Sequence, residues 1–265
     1  MEIDKWPLSS VLRRLSSEIK AHALAEYPRE SVGVVVDGAY RRLKNVACNP
    51  QTGFALGHAD ELLALLADAV VHSHCHPKHG LAPSAADMRQ QLACGRVWGI
   101  VLTDGKSCAE PWFWGPGVPV PPLIGREYRH GPSGSDGKGD CWALVRDWFI
   151  VERGIVIPEF PREDLWWRKD GGAENPNLYV RHFTGCGGVM LGDPAENRAR
   201  IRVGDVVLFQ IRSKVPNHAA VYVGDGLMMH QPAPLVPTGS AKSRVEPGAR
   251  WLDHATHLLR HKNLV

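Results

Sequence analysis

Gly139-Asp140-Cys141-Trp142-Ala143-Leu144-Val145 is the stretch whose reading decides what the rest of this 265-residue chain must supply. A glycine-rich run, Gly131 to Gly139, leads into it. Cys141, Leu144, Val145, Trp148 and Glu152 then fall at i, i+3, i+4, i+7 and i+11, the spacing of an amphipathic helix. Asp140 is a good N-cap residue, which predicts Cys141 at the first helical position. Unpaired N–H groups and the positive end of the helix dipole there favour thiolate over thiol. A nucleophilic cysteine also needs a base for its proton.

The candidate base lies well downstream. Ala219 to Val223 and Leu227 to His230 read as two strands of a hairpin around Gly224-Asp225-Gly226. With Val223 opposite Leu227, His218 and His230 have the same strand parity and face one side. His218 is then the expected base and His230 the group that orients its ring. A cysteine on an apolar helix face can equally be a small core residue. Its place at a capped helix start, together with two same-face histidines, points to catalysis. Trp142, Trp148, Trp166 and Trp167 are expected mostly in the core, and His254, His257 and His261 on the surface of a last segment.

Composition bounds the partners. Thirty-one Lys and Arg against 28 Asp and Glu give a net charge of only +3, with no run of like charge, which argues against nucleic acid as the main partner. No segment approaches 18 consecutive apolar residues and the first residues lack a signal-peptide core, so a soluble chain made in the cytoplasm, with no membrane span, is expected. Six cysteines without CxxC pairing read as reduced thiols, five of them inert.

Gly115-Pro116-Gly117-Val118-Pro119-Val120-Pro121-Pro122 can hold neither a helix nor a central strand and reads as a stiff linker. It divides the chain into domains at 1–114 and 123–265. In the first, Ser9 or Ser10 caps a helix with Leu12, Leu15 and Ile19 on one face, and Val32 to Val36 is a strand. A helix of about Ala59 to Asp68 precedes the strand Ala69-Val70-Val71, which runs into His72-Ser73-His74. Ser84 to Asp87 opens another helix, and Trp98 to Leu102 and Ala109 to Trp114 read as further strands of a mixed sheet. In the second domain Asn175 to Phe183 reads as a covering helix and Val203 to Phe209 as a turn and buried strand.

His72 and His74, alternate residues of one strand, point the same way and can share a metal ion. Asp87, arriving from the next helix, completes a His₂Asp set with a position open for water, as in a catalytic zinc. Glu30, just before the first strand, can accept the proton of that water. Ser84-x-x-Asp87 also fits a helix capping box, a purely structural alternative.

The order Glu30, His72-Ser73-His74, Ser84 and Asp87 resembles the JAMM (MPN+) metallopeptidases, over roughly residues 10–113. The resemblance implies Zn²⁺ on His72, His74 and Asp87, water activation by Glu30, and an oxyanion supported by Ser84. Cys75-His76-Pro77-Lys78-His79 inserts two residues relative to that pattern; either the loop bulges or Cys75, His76 or His79 competes for the metal. The second domain resembles the NlpC/P60 cysteine peptidases through Asp140-Cys141, His218, Val221-Tyr222-Val223-Gly224 and His230. That resemblance implies a papain-like α+β fold and gives Tyr128 the place of an oxyanion-assisting tyrosine. Trp142 stands where serine commonly follows the cysteine, a departure expected to touch the pocket.

Both together imply an α+β chain: a JAMM/MPN-like mixed-sheet α/β domain, then the NlpC/P60 domain. In this order they resemble tail assembly proteins of lambda-like phages. The implied roles are cleavage of bacterial cell-wall stem peptides or of a tail protein, contact with other tail-tip proteins, and location in the host cytoplasm during assembly or at the virion tail tip. The alternative is an assembly factor with a docking, non-catalytic first domain.

Overall fold

The computed structural model describes residues 7–75, 80–168, 177–234 and 239–264. Several expectations lie outside these residues: His76, Pro77, Lys78 and His79, and the start of the covering helix at Asn175. The chain forms two compact units, one of residues 1–121 with 134–136 and one of 122–133 with 137–265. Residues 134–136 join the first unit because Ser135 exchanges backbone and side-chain hydrogen bonds with Phe113.

In the first unit, α1 (Ser9–Glu26) buries Leu12, Leu15 and Ile19 on one face. Leu8 is its N-cap and no side chain caps it, so neither Ser9 nor Ser10 has the expected capping role; Ser9 lies inside the helix and is buried. β1 (Val32–Val36) follows, then β2 (Ala39–Leu43), α2 (His58–Leu66), β3 (Ala69–His74), α3 (Ala85–Cys94), β4 (Val97–Leu102) and β5 (Trp112–Trp114). The sheet order is β2-β1-β3-β4-β5. Only β3 and β4 pair in parallel, so the sheet is mixed. All six residues of β3 are buried, as a central strand covered on both faces requires. Its last turn of sequence is polar, so His72 and His74 sit at the carboxyl end of the strand. Gly99 in β4 is a close-approach position: a Cβ there would meet the Phe113 ring at 2.5 Å.

In the second unit, α4 (Cys141–Arg153) buries Trp142, Leu144, Val145, Trp148 and Phe149. Each such side chain contributes about 1.5–3 kcal/mol relative to exposure. Asp140 caps the helix by accepting from the Ala143 N–H, and Gly154, at φ 65°, ends it in the left-handed conformation. Then come α5 (Leu178–Gly185), β6 (Gly188–Gly192), β7 (Val206–Phe209), β8 (His218–Gly224), β9 (Leu227–His230), β10 (Arg244–Pro247) and β11 (Ala255–His261). The sheet order is β10-β9-β8-β7-β11-β6, antiparallel throughout, and α4 packs on β8 and β9. The fold class is α+β.

The last segment departs from its expected surface position. β11 lies between β7 and β6, His261 is buried with Nε2 3.0 Å from the Cys186 carbonyl, and His257 is half-buried; only His254 is exposed. Trp142 departs too. It has no exposed surface and stacks on Tyr179 at 5.1 Å and 13°, so it belongs to the core.

Candidate active sites

The hairpin supplies the second unit's site. Tyr222 pairs with Met228, Val221 with Met229 and Ala220 with His230; an irregularity at Val223 sets Gly224 opposite Leu227. Beyond the turn this register keeps His218 and His230 on one face. His218 Nε2 lies 2.8 Å from His230 Nδ1. His230 Nε2 lies 2.5 Å from Glu246 Oε1, on β10. Glu246 also accepts from Trp251 Nε1 at 2.8 Å and from Arg244 Nε at 3.0 Å. Trp251 packs against both imidazoles. Burial pulls the Glu246 carboxyl up, but Arg244, Trp251 and His230 outweigh it and hold it below the usual carboxylate range.

Cys141 is buried at the start of α4, and its sulfur accepts from the backbone N–H of Ala219, the residue after His218. Sγ is also 3.5 Å from the Tyr179 hydroxyl. The expected helix-end thiolate does not emerge. Burial, with the Asp140 carboxylate beside it, pushes the thiol up to about 11; Tyr179, Ala219 and Arg162 act in the opposite direction and are outweighed. Burial likewise takes His218 down to about 3, with His230 next in effect. The resting pair is therefore a neutral thiol and a neutral imidazole. Tyr128 is deeply buried, and burial followed by the charges of Asp140 and Cys141 raises its hydroxyl well above its ordinary value, so it is a neutral donor.

A buried ion network stands behind the cysteine. Arg162, with a fully buried side chain, forks onto both oxygens of Asp140 at 2.8 and 2.9 Å and reaches Glu159 at 2.6 Å. Arg162, Tyr179, Glu246 and Trp251 were all outside the sequence expectations. None belongs to a recognisable local motif, and each meets the site through a separate loop, helix or strand.

In the first unit, ligand-type atoms of His72, His74 and Asp87 lie within 4.8 Å of one another. His72 Nε2 is 3.7 Å from Asp87 Oδ1 and His74 Nε2 is 3.5 Å from Oδ2, beyond good hydrogen-bond length. His72 is buried and Nε2 has no hydrogen-bond partner, while His74 Nδ1 is tied to the Gly80 carbonyl at 3.0 Å and its Nε2 faces Asp87. Burial pulls the His74 ring down, but Asp87 and Glu30 outweigh it and raise it. Burial, helped by His74, takes His72 down to about 4 and keeps it neutral, as metal binding requires. Burial pulls Asp87 up, yet both histidines and the Ser84 N–H outweigh it and hold the carboxyl far below its usual range. Two nitrogens and a carboxylate oxygen fit zinc with one position open.

Glu30 shares a cleft of ≈ 100 Å³ with His74, Ser84 and Asp87, and burial raises its carboxyl to about 7. The capping-box reading of Ser84 also holds. Ser84 Oγ accepts from the Asp87 N–H and donates to Asp87 Oδ2, which also accepts from the Ser84 N–H. Asp87 thus serves the helix start and the histidine cluster at once. Cys75 donates to the Arg29 carbonyl at 3.2 Å and lies 3.5 Å from the Ser73 hydroxyl.

Residues 12–114 match the family model of prokaryotic homologs of the JAB domain, and residues 125–246 match that of the NlpC/P60 family. The chain is 33% identical over 194 residues to tail tip assembly protein K of Escherichia phage lambda, covering 73% of this chain and 81% of that protein. It is 27% identical over 258 residues to tail tip assembly protein K of Escherichia phage N15, covering 93% of each. Among solved structures it is similar to an NlpC/P60 family protein from Bacillus cereus ATCC 10987, at 14% identity and TM-score 0.31, covering 91% of this chain and 66% of that one. It is also similar to NlpC1 from Trichomonas vaginalis, at 17% identity and TM-score 0.30, where it covers 52% of this chain and spans 40% of that protein's length.

Proposed function

This chain belongs to the tail tip assembly protein K family, and on that premise we propose that it is a phage-tail hydrolase cutting peptide bonds of bacterial cell-wall stem peptides through Cys141. The observation that carries this reading is the conjunction of Cys141 at a capped helix start with the His218–His230 pair one residue from the amide on its sulfur. His218 takes the thiol proton as the sulfur attacks, and returns it to the leaving amine. Tyr128 and the Tyr179 hydroxyl are neutral donors for charge developing beside the sulfur. Purified peptidoglycan incubated with the wild type and with Cys141→Ala, then read by mass spectrometry, tests it. New stem-peptide termini should appear only with the wild type; equal release by both would sink the reading.

The first unit supports a second hydrolytic site. His72, His74 and Asp87 would hold a zinc ion, which when bound supplies a Lewis acid and a water of lowered pKa. Glu30, poised near neutrality, would hold the proton given up there, and Ser84 would steady the oxyanion. We expect one zinc per chain by elemental analysis of the dialysed full chain, lost in His74→Ala. Zinc that is absent, or unaffected by that change, would remove the metallopeptidase reading. The capping role of Ser84 favours a second reading for this unit, in which it docks other tail proteins and its hydroxyl has no catalytic task. Assembly in the host cytoplasm and residence at the tail tip fit either reading.

A further inference from the structure

We propose that Glu246 is a positioning residue for the cysteine site, fixing the tautomers of His230 and His218 so that His218 Nδ1 is the unprotonated nitrogen that takes the thiol proton. The inference rests on the Cys141–His218 reading above and adds a group that neither the hairpin nor the helix contains. A carboxylate only accepts hydrogen bonds. His230 Nε2, 2.5 Å from Glu246 Oε1, must therefore carry a proton. A neutral ring has one N–H, so His230 Nδ1 is left as an acceptor. His218 Nε2, 2.8 Å from that nitrogen, must then be the donor, which leaves Nδ1 of His218 unprotonated. The orientation of two rings follows from one carboxylate at the far end.

The remaining bonds hold that carboxylate in place. Arg244 meets Oε2 at 3.0 Å and Oε1 at 3.2 Å, and Trp251 Nε1 meets Oε1 at 2.8 Å. In the reaction the S–H bond breaks and an N–H bond forms at His218 Nδ1, while the sulfur keeps the electron pair and attacks the carbonyl carbon. The positive charge now on His218 is stabilised through His230 by Glu246, which stays a carboxylate and takes no proton. When the amine leaves, the same Nδ1 proton goes to it.

The test uses full-length protein with ¹⁵N-labelled histidine, whose ring shifts report which nitrogen is protonated. His218 and His230 are assigned by single replacement with glutamine. Both should be Nε2–H tautomers in the wild type. Glu246→Ala should shift His230, and with it His218, toward the other tautomer or a mixture, and should lower kcat on stem peptides about 100-fold with little change in KM. Glu246→Gln keeps an acceptor oxygen and the shape, so the tautomers should stay while kcat falls about tenfold. Unchanged tautomers in Glu246→Ala overturn the proposal whatever kcat does, as does wild-type kcat in both variants. The spectroscopic arm needs no turnover. A chain that hydrolyses no stem peptide sinks the peptidase reading, and the tautomers still decide the role of Glu246.

Discussion

Cys141→Ala is expected to lower kcat for stem-peptide hydrolysis by about 10⁵-fold or more, the scale seen when a covalent nucleophile is removed. The alanine loses only a sulfur from a buried position, so the fold should be kept. The pH behaviour separates this site from a preformed ion pair. Burial takes His218 down to about 3, so it is the unprotonated base throughout pH 5–8 and activity should not fall as pH drops through 6.5. The thiol is pushed up to about 11, so alkylation of free Cys141 by iodoacetamide should be slow at pH 7 and climb toward pH 10. A Cys141 that already alkylates rapidly at pH 6 would show that the resting pair is charged, and hydrolysis failing below pH 6.5 would show that His218 takes up a proton there. Residual activity above about 1% in Cys141→Ala would move the nucleophile elsewhere.

The second large effect concerns stability. Arg162→Met keeps much of the side-chain volume but leaves Asp140 fully buried and without its forked partner. Removing one member of a buried ion pair costs about 3–5 kcal/mol, because the remaining charge stays out of water. Glu159 suffers less, since Arg146 still reaches it at 2.9 Å. A lowered urea midpoint of the second unit, followed by its tryptophan fluorescence, should report the loss. Adding Asp140→Asn should recover part of it by removing the orphaned charge, at the cost of a weaker helix cap. A loss under 1 kcal/mol in the single variant would mean that the site is wetter than its burial indicates.

How much of this was legible in the chain follows from what each feature depends on. The α4 start needed only local chemistry, a capping aspartate and an apolar period, and the hairpin histidines needed only a turn and a period of two. The first unit's His72 and His74 were legible for the same reason. Glu246 was not, because β10 reads Arg-Val-Glu-Pro, without apolar alternation, and reaches the site only by pairing with β9. β11 misleads in the opposite direction: Ala-Thr-His-Leu-Leu-Arg-His reads as a polar tail, yet pairing on both sides buries its second half. The Arg260 charge there is met by Asp205 at 2.7 Å, a partner 55 residues away. Cys141 shows the limit most clearly. A helix end is written locally, whereas depth of burial is a property of the whole unit, and burial decides the state of the thiol.

That resting state has a consequence for the lifetime of the thiol. Peroxides and other two-electron oxidants attack thiolates far faster than thiols, and the first product, a sulfenic acid, would end the nucleophile's usefulness. With Cys141 5% exposed and its proton retained, the sulfur is shielded from that chemistry. The depth of the α4 start in the second unit keeps the sulfur dormant toward oxidants.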